Sequence, residues 1–265
     1  MKQKSFTIIE LLVVVSIIGL ISAITLVTVK NAIERAKIAA GLQFSASIKH
    51  ALGANTAGEW GFENSLMDTS GNERHGSPNG VFFSDDAMVG DNSLFFDGNG
   101  YISTENSGLG LSSEVAQSIT IEAWIKPDTF TDTYHTIAVK HNSFYLGFAL
   151  DKLFFSLVPV DMIDSGDKRF EIGKWYHVVG TYNGSEMKIF ANGEEIGSED
   201  DFNGNRIDSR SDPLLIGIYY YNNFPYYPFY GLIDEVRIYG EGLSSTQIKK
   251  LYVEGVRKRG LLTKE

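Results

Sequence analysis

Apolar positions are laid along this chain in two textures. From Leu11 to Val29 they run without a single charge for about 19 residues, roughly 28 Å as a helix, which matches the hydrocarbon core of a bilayer. Val29, Ile33, Ala36, Ala40, Phe44, Ile48 and Leu52 then recur at steps of three or four, with Lys30, Glu34, Arg35, Lys37 and Lys49 mostly off that stripe. No proline occurs before Pro78. The pattern predicts one helix from about Thr7 to about Ala51, roughly 65 Å long, membrane-spanning in its first half and amphipathic in its second. Gly19 and Gly41 are its weak points.

Beyond Thr56 the texture changes to short apolar or alternating segments separated by Gly, Asn, Asp and Ser. Ser118 to Lys126 puts Ile119, Ile121, Ala123 and Ile125 on one face and Ser118, Thr120, Glu122, Trp124 and Lys126 on the other, the pattern of a half-buried strand. Asn192-Gly193 between Met187–Ala191 and Glu194–Gly197 suits a two-residue hairpin, because both residues tolerate positive φ. Further strands are expected at Leu94–Phe96, Tyr101–Thr104, Thr136–Lys140, Phe144–Leu150, Leu153–Val158, Trp175–Tyr182, Leu214–Ile218 and Leu232–Tyr239. So many strands with no long helix between them predict two packed antiparallel sheets. Ser244 and Gln247 form a capping box for a short helix to Tyr252, and Arg257, Lys258 and Arg259 follow as a solvated basic end.

Charge and composition narrow the chemistry. The 265 residues suffice for one domain of about 200 residues plus an appendage. A net charge of −10 offers no broad basic field, which excludes nucleic acid as the main partner. The chain has no cysteine, so disulfides, thiolate metal sites and thiol nucleophiles are all excluded. No Glu-x-Asp-x-x-Glu, His-Glu-x-x-His, Gly-x-Ser-x-Gly or phosphate-loop arrangement occurs. Asp234 and Glu235 are adjacent, so on a regular strand they face opposite ways. The five histidines are scattered, and His177 in an alternating segment reads as a packed residue. A non-enzymatic protein is expected.

Glu10 stands at the edge of the apolar run, where a charge is costly in lipid and calls for a partner. Lys2 and Lys4 before the run raise the alternative of a cleaved signal peptide. Glu10 and the helical pattern continuing past Lys30 argue against it. The segment Lys4-Ser5-Phe6-Thr7-Ile8-Ile9-Glu10-Leu11-Leu12 resembles the class III signal of type IV prepilins and type II secretion pseudopilins. The resemblance implies that a prepilin peptidase cuts between Ser5 and Phe6 and methylates the new amine, leaving the helix in the mature subunit. It implies assembly roles for Phe6 and Glu10 toward other subunits. The family usually has Gly before the cut, and here Ser5 takes that place.

A second resemblance covers nearly all of Trp60 to Tyr252. Its segments are Trp60-Gly61-Phe62-Glu63, Asp68-Thr69-Ser70-Gly71-Asn72, His75-Gly76, Leu94 to Gly98, Ile119 to Pro127, Trp175 to Tyr182 and Gly231 to Tyr239. In this order they are similar to laminin-G-like members of the concanavalin A-like lectin and glucanase superfamily. That implies a mainly β chain: an antiparallel jelly-roll sandwich, binding glycans or proteins, carried on a pilin-like helix. The resemblance also places Glu63, Asp68, Asn72 and Asp234 near one another as oxygen donors for a structural calcium ion. The alternative for Asp68 to Asn72 is a simple Asx-type turn. A second acidic loop, with Asp201, Asn203 and Asn205 at alternate positions, reads as solvated, since Arg206 stands where an EF-hand needs glycine. Tyr219, Tyr220, Tyr221, Tyr226 and Tyr227 lie in an aromatic run that is either a ligand platform or packing on the sandwich.

The expected organisation is a leader at 1–5, a pilin-like helix at 6–55, a sandwich at 56–253 and a basic tail at 254–265. The expected protein is a single-pass inner-membrane precursor that moves to a type IV pilus-like surface filament, where the sandwich acts as an adhesive glycan- or protein-binding domain. The alternatives are a type II secretion pseudopilin and a membrane-anchored binding protein that never polymerises.

Overall fold

The computed structural model describes residues 8–9, 11–19, 22, 55–104, 115–116, 118–131, 133–158, 161–200, 207–208, 212–221 and 224–262. The chain divides into two compact units, Met1–His50 and Ala51–Glu265. In the first, the described residues are helical and exposed, Ile8, Ile9, Leu11 and Leu12 among them. Among the described residues no helix is long and apolar enough to cross a membrane. The remainder of the predicted helix, with Ser5, Phe6 and Glu10, lies outside the described residues, as does most of the acidic loop with Asp201, Asn203, Asn205 and Arg206.

The second unit is built on two antiparallel sheets. The first runs in the order Glu194–Glu199, Met187–Ala191, Tyr176–Tyr182, Ile119–Pro127, Tyr230–Tyr239, Ser93–Asp97 and Phe82–Ser84. Tyr230–Tyr239 is shared on its far side, pairing with Ser93–Asp97 along Tyr230 to Ile233 and with Thr56–Trp60 along Val236 to Tyr239. The second sheet runs in the order Asp161–Asp164, Lys152–Leu157, Phe144–Ala149, Tyr134–Lys140, Leu214–Ile216, Tyr101–Thr104 and Gly76–Asn79. Ile119, Ile121, Ala123, Ile125, Val178, Ile189 and Ile233 share one core with Phe144, Leu146, Phe148, Leu153 and Phe155. Each of these side chains larger than alanine contributes roughly 1.5–3 kcal/mol on burial. Two shorter pairs stand beside the sheets, Val115–Ala116 with Ile207–Asp208 and Tyr219–Tyr221 with Phe224–Tyr226.

Local sequence explains the turns. Asn192 and Gly193 take φ values of 52° and 73°, as a two-residue hairpin of the predicted kind requires. The capping box also forms: Ser244 N–H donates to Gln247 Oε1 at 2.9 Å, and Gln247 N–H donates to Ser244 Oγ at 3.4 Å.

Two expectations are corrected. Ser118 to Lys126 is not half-buried, since Thr120, Glu122 and Trp124 on its outer face are 0%, 1% and 3% exposed. The helix that begins at the capping box, Ser245–Leu262, lies across this face and covers it. Tyr252 stacks on Trp124 with ring centroids 5.7 Å apart, and a Cβ on Gly255 would come within 2.6 Å of the Trp124 ring. The basic end is likewise part of this helix rather than a tail. Lys258 pairs with Glu254 at 3.4 Å, and the Arg259 guanidinium donates to Met88 Sδ at 3.3 Å.

Candidate functional site

The outer face of the second sheet gathers the aromatic run. Alternation buries Phe144, Leu146 and Phe148 and turns Tyr145 outward, where its hydroxyl bonds Thr136 Oγ1 at 2.7 Å. Burial pushes the Tyr145 phenol well above its usual range. Tyr219 lies near-parallel to Tyr145 and to Tyr227, with centroids 5.9 and 6.0 Å apart, and Tyr134 meets Tyr227 edge-on at 5.2 Å. Tyr220 packs edge-on to Tyr101 at 5.2 Å. Tyr219, Tyr220 and Tyr227 are therefore half-buried, and Tyr226, with neighbouring Phe224, is exposed. The side chain of Tyr221 lies outside the described residues.

Tyr227 sits at φ 53°, a left-handed conformation that strains a bulky side chain. The Thr136 N–H holds it there by donating to the Tyr227 carbonyl at 2.9 Å. Tyr134 and Tyr145 belong to this cluster, although sequence reasoning did not connect them to the tyrosine run. Their strand alternation was the available signal. Beside the cluster, Phe130, Thr131, Leu150, Asp151, Phe170, Glu171 and Ile172 line an open groove of about 560 Å³.

The four expected calcium donors fall into two pairs. Asp68 Oδ1 accepts from the Glu59 and Ser70 N–H groups, each at 2.9 Å, and Oδ2 accepts from Arg74 N–H at 3.0 Å. Burial works to raise its pKa, but the bonds from Ser70, Glu59 and Arg74 outweigh it and hold the carboxyl below the usual value. Asn72 Nδ2 donates to Thr56 O at 2.9 Å and to Ser70 Oγ at 3.0 Å. This is the Asx-type turn weighed as the alternative, with both Asp68 oxygens already engaged by backbone.

Glu63 and Asp234 form the other pair. Glu63 Oε2 accepts from Asp91 N–H at 3.0 Å, and Glu63 packs so close to Gly90 that a Cβ there would fall 1.5 Å from Oε1. Asp234 Oδ2 accepts from Met88 N–H at 3.0 Å and Val89 N–H at 2.9 Å. Asp234 Oδ1 is buried with no hydrogen-bond partner. Burial first, and the Glu63 charge after it, push the Asp234 carboxyl up to about 7 against those two N–H donors. Among the described residues, no group of three or more His, Cys, Asp or Glu side chains is placed to hold a metal ion.

The adjacent pair Asp234-Glu235 does not alternate as a regular strand would. A bulge between Asp234 and Arg237, with Glu235 at φ 49°, brings the Glu235 carboxylate round to the Arg237 guanidinium. Arg237 also donates to Glu59 Oε1 at 2.9 Å and to Glu122 Oε1 at 2.7 Å. Tyr239 hydroxyl donates to Glu122 Oε1 at 3.2 Å, and His177 Nε2 meets Glu122 Oε2 at 3.2 Å. Burial would raise the Glu122 carboxyl, but the His177 hydrogen bond and the Arg237 charge overcome it and hold it at about 2. This network is sealed, with Glu122 and His177 each 1% exposed, and it offers no open position to a substrate.

The geometry defines a two-sheet lectin-like sandwich with an aromatic outer face. The chain belongs to the concanavalin A-like lectin/glucanases superfamily, whose model matches residues 96–249. A prokaryotic N-terminal methylation motif matches residues 1–26, so the chain fuses the two elements expected from its sequence. No curated protein matches the chain.

Solved structures share the fold at low identity. Domain 4 of AbnA, an extracellular GH43 arabinanase from Geobacillus stearothermophilus in complex with arabinotriose, is 21% identical with a TM-score of 0.60, covering 75% of this chain and 98% of its own. The binding domain of Paraclostridial Mosquitocidal Protein 1 is 17% identical with a TM-score of 0.61, covering 76% of this chain and 52% of its own. The Botulinum neurotoxin serotype D ligand binding domain in complex with N-acetylneuraminic acid is 17% identical with a TM-score of 0.58, covering 78% and 52%. The chain thus spans about half the length of these toxin domains.

Proposed function

We propose that this chain is a pilin-like, non-enzymatic subunit that a prepilin peptidase cuts between Ser5 and Phe6. It is then assembled with other subunits into a type IV pilus-like filament that displays the sandwich as an adhesive, glycan- or protein-binding domain. The observation that carries this reading is the fusion, in one chain, of a methylation motif at residues 1–26 to a lectin-like sandwich. Cleavage creates an ammonium at Phe6, and Glu10 of a neighbouring subunit neutralises it, so two charges that are costly in an apolar layer become one pair. Before assembly the uncharged run Leu11 to Val29 holds the precursor in the inner membrane. On this reading residues 6–55 form the helix and 56–253 the displayed domain.

The ligand face is the aromatic cluster of Tyr134, Tyr219, Tyr220, Tyr226 and Tyr227, with Tyr221 on the same hairpin. Its support is chemical: ring faces pack on the apolar side of a sugar, and phenol hydroxyls bond to its edges. Should the domain hold calcium, Glu63 and Asp234 fit it, since Asp234 Oδ1 is buried without a partner beside a second carboxylate. Asp68 and Asn72 do not, being spent on their own loop. The ion would neutralise the Glu63–Asp234 pair and tie the 88–91 loop to the sheet.

Assembly is tested with Glu10→Ala in cells, comparing sheared filaments with membranes. The expected result is cleaved protein that stays in the membrane fraction. Normal incorporation of this variant would overturn the role of Glu10. Retention of the native chain in the envelope, with a secretion defect on its deletion, would instead assign it to a secretion machine.

A further inference from the structure

Charge is segregated along this chain. Residues 55–244 hold 29 acidic and 11 basic side chains, whereas residues 245–265 hold two acidic and six basic. Most of that second set is displayed on one helix. Ser245–Leu262 buries Ile248, Leu251 and Gly255 against the first sheet. Lys249, Lys250, Val253, Val256 and Arg257, spaced three and four apart, make up its exposed face. Val253 and Val256 are 38% and 42% exposed in the middle of the cations. Lys249 leans inward, 3.6 Å from Glu194 and over the Tyr252 ring. Lys250 and Arg257 are exposed beside the two valines.

We propose that this helix face docks on the phosphate-bearing surface of an anionic bilayer. The inference goes beyond the adhesive role and rests on the membrane-inserted reading of the first 30 residues. Cations attract the anionic headgroups, and apolar side chains between them gain by entering the headgroup boundary. A nucleic acid or an acidic protein surface would satisfy the cations but give the valines no comparable medium. The acidic remainder of the domain is repelled by the same surface, so only this helix can approach it, and the attraction orients the domain.

The absence of native cysteine makes a single probe clean. Val253→Cys carrying bimane is placed in the full chain and reconstituted in nanodiscs of POPC alone and of POPC with a quarter POPG. The expected result is a blue shift and about a twofold fall in acrylamide quenching in the POPG discs, reversed by molar salt through screening. Ile172→Cys, an apolar and still more exposed position on the acidic body, should read the same in both discs. Lys250→Glu should abolish the response of the 253 probe. Equal emission in both discs overturns the inference, as does an equal response to heparin or duplex DNA added to POPC discs. A chain that does not remain with the discs on size exclusion overturns the membrane-inserted reading together with this inference, whereas retention with an unresponsive probe overturns the inference alone.

Discussion

The outer faces of the two sheets invert the usual rule of polar outside and apolar inside. On the first sheet the outward positions include Thr120, Glu122 and His177, residues that suit water, yet the helix Ser245–Leu262 and the Met88–Val89 loop seal them in. On the second sheet the outward positions include Tyr134 and Tyr145, with Tyr226 and Tyr227 above them, and this face stays partly open. The lesson is that a sealed polar face must satisfy its charges internally, so it becomes rigid and specific. An open aromatic face keeps surface available for a ligand.

The first sheet's face is the more fragile. Glu122→Gln removes the charge that Arg237 and His177 are arranged around and leaves Arg237 short of a buried counter-charge. A loss of about 3 kcal/mol is expected in urea denaturation of the full chain in detergent. The native contribution also has a pH signature. Because Glu122 titrates at about 2 in the folded chain, below an unfolded carboxylate near 4.3, its stabilisation is present above that unfolded value. It is lost as pH falls through about 2.

Asp234 sharpens the comparison with the opposite sign. Its folded carboxyl titrates at about 7, above the unfolded value, so its contribution to stability is full at acid pH and lost as pH rises through 7. Asp234→Asn keeps an acceptor for the Met88 and Val89 N–H groups and removes the buried charge. It should stabilise the chain by about 2 kcal/mol at pH 8 in the presence of chelator, with the gain gone at pH 5. Calcium added to the native chain at pH 8 should raise its melting temperature, and the Asn variant should not respond. A native chain indifferent to calcium would remove Glu63 and Asp234 from consideration as ligands.

On the second sheet the smallest stability effect is expected. Tyr226→Ala truncates an exposed ring and should change unfolding free energy by no more than about 0.5 kcal/mol. It should at the same time weaken binding on a glycan array. A large loss of stability would place Tyr226 among the packing residues instead.

Much of this was legible in the chain because it rests on local pattern. The alternation at Ile119 to Ile125, the Asn192-Gly193 turn and the Ser244/Gln247 box each declare a structure through a few neighbouring residues. The outer network was not legible, because whether Glu122 meets water depends on Tyr252 and Gly255, more than a hundred positions away. Asp68 and Asn72 seemed a metal set for a similar reason. An Asx turn and a calcium loop use the same residue types, and only the three backbone N–H donors on Asp68 distinguish them. The Asp234-Glu235 bulge also escaped the period-two argument, which assumes a regular strand.

Pilin-type assembly of this chain requires a helix that is trimmed and kept. Amino-terminal sequencing with intact mass of the mature protein tests this most directly. A chain beginning at Phe6 and carrying one added methyl group is the predicted result, whereas a mature chain starting downstream of Ala23 would contradict it.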